Sequence, residues 1–171
     1  MTLSAKESMT QDSHPPAGVT FIGIGEFMIS RDPLSSIGLG SCIGLVLHDE
    51  DRKIGGLAHI MLPDSQGRTD RPGKYADTAL LALLEGMGCT GKTRGRIGAK
   101  LTGGAAMFAQ FSENFSIGDK NLQAIRVLLK ERSIPILAED VGGKAGRTIV
   151  YYPGSGGRIT IRRGDGSYGE I

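Results

Sequence analysis

Residues 39–63 read LGSCIGLVLHDEDRKIGGLAHIMLP, two apolar runs around the charged knot DEDRK. The knot is turn chemistry, so the two runs predict an antiparallel β-hairpin. A cysteine opens the first run and a histidine stands near the end of the second, in a chain that has only two cysteines and three histidines. With the turn centred between Glu50 and Asp51, Cys42 falls opposite His59. Directly opposed residues have Cβ atoms about 4.5–5.5 Å apart, close enough for a thiol and an imidazole to meet. The pairing depends on register, because a one-residue slip sends one side chain to the other face. His48 shares the face but stands six residues from Cys42 along the strand, roughly 20 Å away at about 3.3 Å per residue, and cannot reach it.

A thiol beside an imidazole is the arrangement that thiol catalysis needs. The imidazolium stabilises a thiolate that is otherwise scarce at neutral pH, and the ring can then protonate a leaving amine. Gly38, Gly40 and Ser41 precede the cysteine, where they would let substrate approach the backbone and offer N–H groups to an oxyanion. The residues alone leave a second reading open, in which Cys42 is a small buried hydrophobe and His59 a satisfied core histidine. Cys89, in GMGCTG just past a helix end, reads as structural, and His14 as solvated. The glycines of GLGSCIG are misspaced for a dinucleotide fingerprint, and a β-branched run follows where that motif needs a helix. A metal site would need more ligands near His59 than the sequence supplies.

The rest of the chain reads as one domain. Its 171 residues suffice for a single core, and its 20 basic and 18 acidic residues are scattered, so nucleic-acid binding gains no support. The N-terminal stretch MTLSAKESMTQDSHPPAG lacks the apolar segment of a signal peptide, and no apolar run is long enough to span a bilayer. These features predict a cytoplasmic protein with free thiols and no membrane insertion. Residues 1–18 are expected as a flexible tail, 19–163 as the folded domain and 164–171 as a second tail. VTFIGIGEFMIS predicts a strand kinked at its glycines. Ala76, Ala79, Leu80, Leu83, Leu84 and Met87 have helical spacing, stopped by Gly86 and Gly88. A second helix is expected from an Asp119 N-cap to about Arg132. Strands are expected in RIGAKLTGGAAMF and IPILAED, and a terminal hairpin in RTIVYYPGSGGRITIRR. The fold class is α/β (α+β), mixed β-sheet layers with two main packed helices.

Several motifs in order resemble the CheD family of chemotaxis proteins: LGSC, an acidic turn, GG-x-x-H and MLPDS, then GRTDRPGKYADTA (67–79), GGAAMF (103–108), IGDKN (117–121) and AEDVGGKAGR (138–147). The resemblance implies a chemoreceptor glutamine deamidase on a fold shared with deamidating toxins, needing no cofactor or metal. It makes Cys42 the nucleophile and His59 the base. The family pattern has a threonine six residues before the cysteine; here it is Ser36, which keeps the hydroxyl but loses the methyl that restricts χ1, implying looser positioning and reduced activity. Residues 67–75, with Arg68, Asp70, Arg71, Lys74 and Tyr75, are expected as a polar rim for a helical receptor segment. Methyl-accepting receptors are the implied substrates and a CheC-type phosphatase the implied partner. The rival reading is a docking module for receptors and that phosphatase with little turnover. A cysteine protease or transglutaminase is a third, since the same pair attacks amides generally.

Overall fold

The computed structural model describes residues 17–89, 96–107 and 116–171. The N-terminal tail expected over 1–18 therefore lies almost wholly outside the described residues. The described residues form two five-stranded sheets and two α-helices. In chain order the strands are β1 (Thr20–Phe21), β2 (Phe27–Ser30), β3 (Leu34–Leu39), β4 (Ile43–Asp49), β5 (Ile54–Ile60), β6 (Ile97–Gly103), β7 (Ile136–Val141), β8 (Arg147–Tyr152), β9 (Arg158–Arg163) and β10 (Tyr168–Glu170). The helices are α1 (Ala76–Gly86) and α2 (Ile117–Glu131). One sheet runs β2-β5-β4-β6-β7 and the other β1-β3-β8-β9-β10. The β1–β3 and β6–β7 pairs are parallel and the remaining pairs antiparallel.

The hairpin β4–β5 sits at the centre of this arrangement. Every residue of β4 is buried, as in a strand covered on both faces, which is why its sequence runs apolar without alternation. Ile43, Leu45 and Leu47 point into one core with Leu80, Leu83, Leu122, Ile125 and other residues of the helices. Cys42, Val46 and Leu57 point into a second core against Leu34, Leu39, Ile149, Tyr151, Ile159 and Ile161 of the other sheet. The layers are thus helices, sheet, sheet. The outer sheet has solvent on its far side, and β8 alternates buried and half-buried positions accordingly. Gly55 permits the close packing of the two sheets: a Cβ there would collide with Tyr151 Oη and the Leu47 carbonyl.

Four expectations about the secondary structure are corrected. VTFIGIGEFMIS forms two strands, not one kinked strand, and β1 and β2 enter different sheets. The N-cap of α2 is Ser116, whose hydroxyl accepts from Asp119 N while the Asp119 carboxylate accepts from Ser116 N, so Asp119 is the inner half of a capping box. The segment 164–171 is no tail: β10 pairs with β9, and Ile171 exchanges two backbone hydrogen bonds with Ile159. The hairpin register is the fourth, taken up with the site below. The remaining elements fall where the sequence puts them, with α1 preceded by a 3-10 turn at Pro72–Lys74. The two sheets are also tied by Asp140 of β7, whose carboxylate accepts from Arg147 and Arg163 of the outer sheet and is held below the usual carboxylate range by them, against the opposing pull of burial. Among the described residues, no helix is long and apolar enough to cross a membrane.

Candidate active site

In the β4–β5 ladder Asp49 pairs with Ile54 and Gly44 with His59. The turn is thus centred one residue later than expected, between Asp51 and Arg52. The cause is local: the Asp49 carboxylate accepts from both Arg52 N, at 3.1 Å, and Arg52 Nε, at 2.7 Å, and Lys53 adopts a left-handed φ of 49°. Moving the centre by one residue moves each partner by two, so Cys42 and His59 do not oppose one another directly. They remain on the same face as diagonal neighbours, a relation in which Cα atoms lie about 7–8 Å apart. The residue opposite His59 is Gly44, which has no side chain to stand between them. A Cβ at Gly44 would meet Thr102, Leu39 and Ile149 within 3.1 Å.

His59 is fully buried and is held from the outer sheet. Ser36 Oγ of β3 lies 2.8 Å from His59 Nδ1 and 2.8 Å from the Ile22 carbonyl oxygen. A carbonyl can only accept, so the serine hydroxyl donates to Ile22, and its oxygen accepts from Nδ1–H. This assigns the proton to Nδ1 and leaves the lone pair on Nε2. Among the described residues Nε2 has no hydrogen-bond partner. Burial pushes the imidazole down to about 4, with the Ile22 backbone pulling the other way. Cys42, 9 % exposed, has its thiol pushed above the ordinary value by burial. At neutral pH the resting pair is therefore a thiol and a neutral imidazole, not an ion pair.

The other sequence-derived candidates take different places. Gly40 is buried, with its N–H bonded to the Gly38 carbonyl and its own carbonyl accepting from Ala105 N; Met107, half exposed, lies against its α-carbon. Ser41 is half-buried beside Cys42. Arg68 and Asp70 are exposed on the loop before α1, fastened below by Ser65, which donates to the Asp77 carboxylate from both N and Oγ. Tyr75 is a correction: only 1 % exposed, it is the N-cap residue of α1 and lies in the core, with Lys74 over its ring, so it has no surface to offer a rim. Cys89 is half-buried and receives a hydrogen bond from Arg52. His48 is occupied elsewhere, bonded through Nδ1 to Tyr151 Oη and through Nε2 to Glu50, both at 2.7 Å. Among the described residues, no group of three or more His, Cys, Asp or Glu side chains could hold a metal ion.

Two participants escaped sequence reasoning. The Ile22 carbonyl is a backbone atom and leaves no compositional trace. Asn121 is fully buried in α2, and its Nδ2 donates to the carbonyls of Ser41 and Met61, both at 3.0 Å. An asparagine at a core position of an amphipathic helix was the available signal.

Comparison with known proteins gives a consistent result. A family described as "CheD chemotactic sensory transduction" matches residues 61–163. The chain is 42 % identical over 152 residues to the "Chemoreceptor glutamine deamidase CheD" of Thermotoga maritima, covering 88 % of this chain and 96 % of that protein. It is 44 % identical over 152 residues to the "Probable chemoreceptor glutamine deamidase CheD" of Archaeoglobus fulgidus, covering 88 % and 95 %. Identity is again 44 %, over 151 residues, with the "Chemoreceptor glutamine deamidase CheD" of Halalkalibacterium halodurans, covering 84 % and 93 %.

Proposed function

This chain belongs to the CheD family, and from that premise we propose that it is a chemoreceptor glutamine deamidase that works through Cys42 and His59. The observation that carries the site assignment is the Ser36–His59 hydrogen bond. With Nδ1–H engaged by a serine oxygen, the free lone pair on Nε2 is on the ring edge able to take a proton from a neighbouring thiol.

The reaction follows in two halves. His59 Nε2 takes the Cys42 thiol proton as sulfur attacks the glutamine side-chain carbonyl carbon. The C–N bond then breaks, His59 returns the proton to the leaving nitrogen, and ammonia departs from a thioester. Water enters, His59 removes one of its protons as the oxygen attacks, the C–S bond breaks, and the thiol is re-formed with glutamate as product. Because the resting pair is neutral, the ion pair is made during the attack. A bound substrate would bring thiol and ring together at that moment.

The exposed side chains of Met61 and Met107, with Arg68 and Asp70 further out, are the surface we assign to the receptor segment, acting on cytoplasmic receptor domains. A CheC-type phosphatase is the partner expected at the same surface. The deciding experiment incubates the protein with receptor cytoplasmic domains and maps glutamine-to-glutamate conversion by peptide mass spectrometry, for wild type, Cys42→Ala and His59→Ala. Conversion by wild type alone is expected. No conversion by wild type, with receptor binding intact, would replace the enzyme by a docking module.

A further inference from the structure

The β4–β5 ladder ends with Ile43 opposite Ile60. Cys42 and Met61 are the next residues on each strand, and they lie beyond the last pair. The strand on that side therefore holds the nucleophile without help from its hairpin partner. On the other side the Cys42 carbonyl accepts from Gly104 N. What spans the open end of the hairpin is a side chain: both N–H bonds of the Asn121 carboxamide are taken by the Ser41 and Met61 carbonyls.

Asn121 is built in rigidly. The capping box of Ser116 and Asp119 fixes the first turn of α2. One turn before Asn121, Gly118 lies so close to the Gly104–Ala105 backbone that a Cβ would fall 2.7 Å from the Gly104 oxygen. The Gly104 and Ala105 N–H groups of that same backbone donate to the Cys42 and Gly40 carbonyls. The helix start, the loop after β6 and the cysteine segment thus form one hydrogen-bonded unit. The cost is visible at the other end of the amide: Asn121 Oδ1 is buried and has no partner among the described residues. Leaving such an acceptor unpaired is unfavourable, so a residue selected for packing alone would be apolar here. The two buried side-chain atoms of this kind among the described residues are Asn121 Oδ1 and His59 Nε2, and both belong to residues that bound the cysteine segment.

We infer that Asn121 is a positioning residue that closes the open end of the β4–β5 hairpin and thereby sets the approach of the Cys42 sulfur to His59. The inference rests on the proposed Cys42–His59 chemistry for its kinetic consequence, whereas its structural consequence can be read without any turnover. Loss of the clamp frees the Ser41–Cys42 segment, so the thiol becomes better hydrated and more reactive toward small alkylating agents while becoming worse placed for catalysis.

The test compares Asn121→Asp, which keeps volume but removes the donor, and Asn121→Ala with Leu129→Ala, a core truncation in the same helix. Three readouts are taken on each: thermal midpoint, the rate of Cys42 alkylation by iodoacetamide as a function of pH in a Cys89→Ser background, and kcat and KM for receptor deamidation. In both Asn121 variants kcat is expected to fall about tenfold or more, with KM within about twofold, as for a misplaced but still binding site. The alkylation profile is expected to move to lower pH. Leu129→Ala should lower the midpoint and leave both site readouts near those of the parent. Asn121 variants that match the parent in alkylation and kcat, that change no more than Leu129→Ala, or that fail to fold in both forms would overturn the inference and make Asn121 a stability residue. If wild type deamidates nothing, the alkylation profiles alone still decide the role of Asn121, and only the proposed function fails.

Discussion

His59 links the site to the acid stability of the fold in a way that can be measured directly. An ordinary imidazole titrates near 6.5, whereas burial pushes that of His59 down to about 4. Between those values the unfolded chain takes up a proton that the folded protein refuses, so stability is complete above about pH 6.5 and declines as the pH falls toward 4. At 1.36 kcal/mol per pH unit the full gap corresponds to about 3 kcal/mol. The perturbation is His59→Asn, which keeps a polar donor toward Ser36 and removes the titration. Urea unfolding of both proteins at half-unit steps from pH 7.5 to 4.5 gives the two stability curves. The expected difference between them narrows by up to about 3 kcal/mol as pH falls, with a slope near 1.4 kcal/mol per unit around pH 5.5. Asp49 and Asp140, whose carboxyls are held below the usual range, weaken the fold at lower pH and cancel in the difference. Parallel curves over the whole range would show that His59 takes up its proton as readily folded as unfolded, and would refute the claim that the resting ring is kept neutral by burial.

Ser36→Ala removes the oxygen that accepts from His59 and the hydroxyl that donates to Ile22; two buried groups lose their partner, and a loss of about 1–3 kcal/mol in chemical unfolding is expected. The same variant should turn over receptor about tenfold more slowly, equivalent to roughly 1.4 kcal/mol of barrier, and wild-type turnover would exclude Ser36 from the site. Alkylation of Cys42 in the wild-type protein should reach half its maximum above the ordinary thiol range, because burial raises the thiol; a midpoint near neutrality would indicate a preformed ion pair. Gly55→Ala drives a methyl into Tyr151 Oη and the Leu47 carbonyl, and overpacking against backbone should cost about 3 kcal/mol or prevent folding; a thermal midpoint like that of wild type would mean that the sheets are not packed this closely.

Much of this was legible in residues 39–63. Two apolar runs around DEDRK specify a hairpin, and the period of two keeps Cys42 and His59 on one face even though their register was misjudged. The difference in register has a local cause, since the Asp49 carboxylate captures Arg52 while Glu50 bonds His48, and both acidic residue types suit a turn. The Asp119 assignment failed for a related reason: Ser116 and Asp119 are both good caps, and only their reciprocal hydrogen bonds rank them. Tyr75 was misplaced because it sits among charged neighbours, while its ring turns inward with the first turn of α1. Which strands share which sheet was not legible, since strand patterns record which face is apolar and not which sheet covers it. That division decides where Ser36 stands, and hence what holds the imidazole.

Ser36 and His59 occupy facing sheets, and this has a consequence for incomplete chains. All three residues of the proposed site lie within positions 36–59, yet β3 stands in the outer sheet between β1 and β8, and β8 and β9 come from residues 147–163. A chain lacking β8 and β9 would carry the thiol and the imidazole without the complete sheet from which the Ser36 hydroxyl meets the ring.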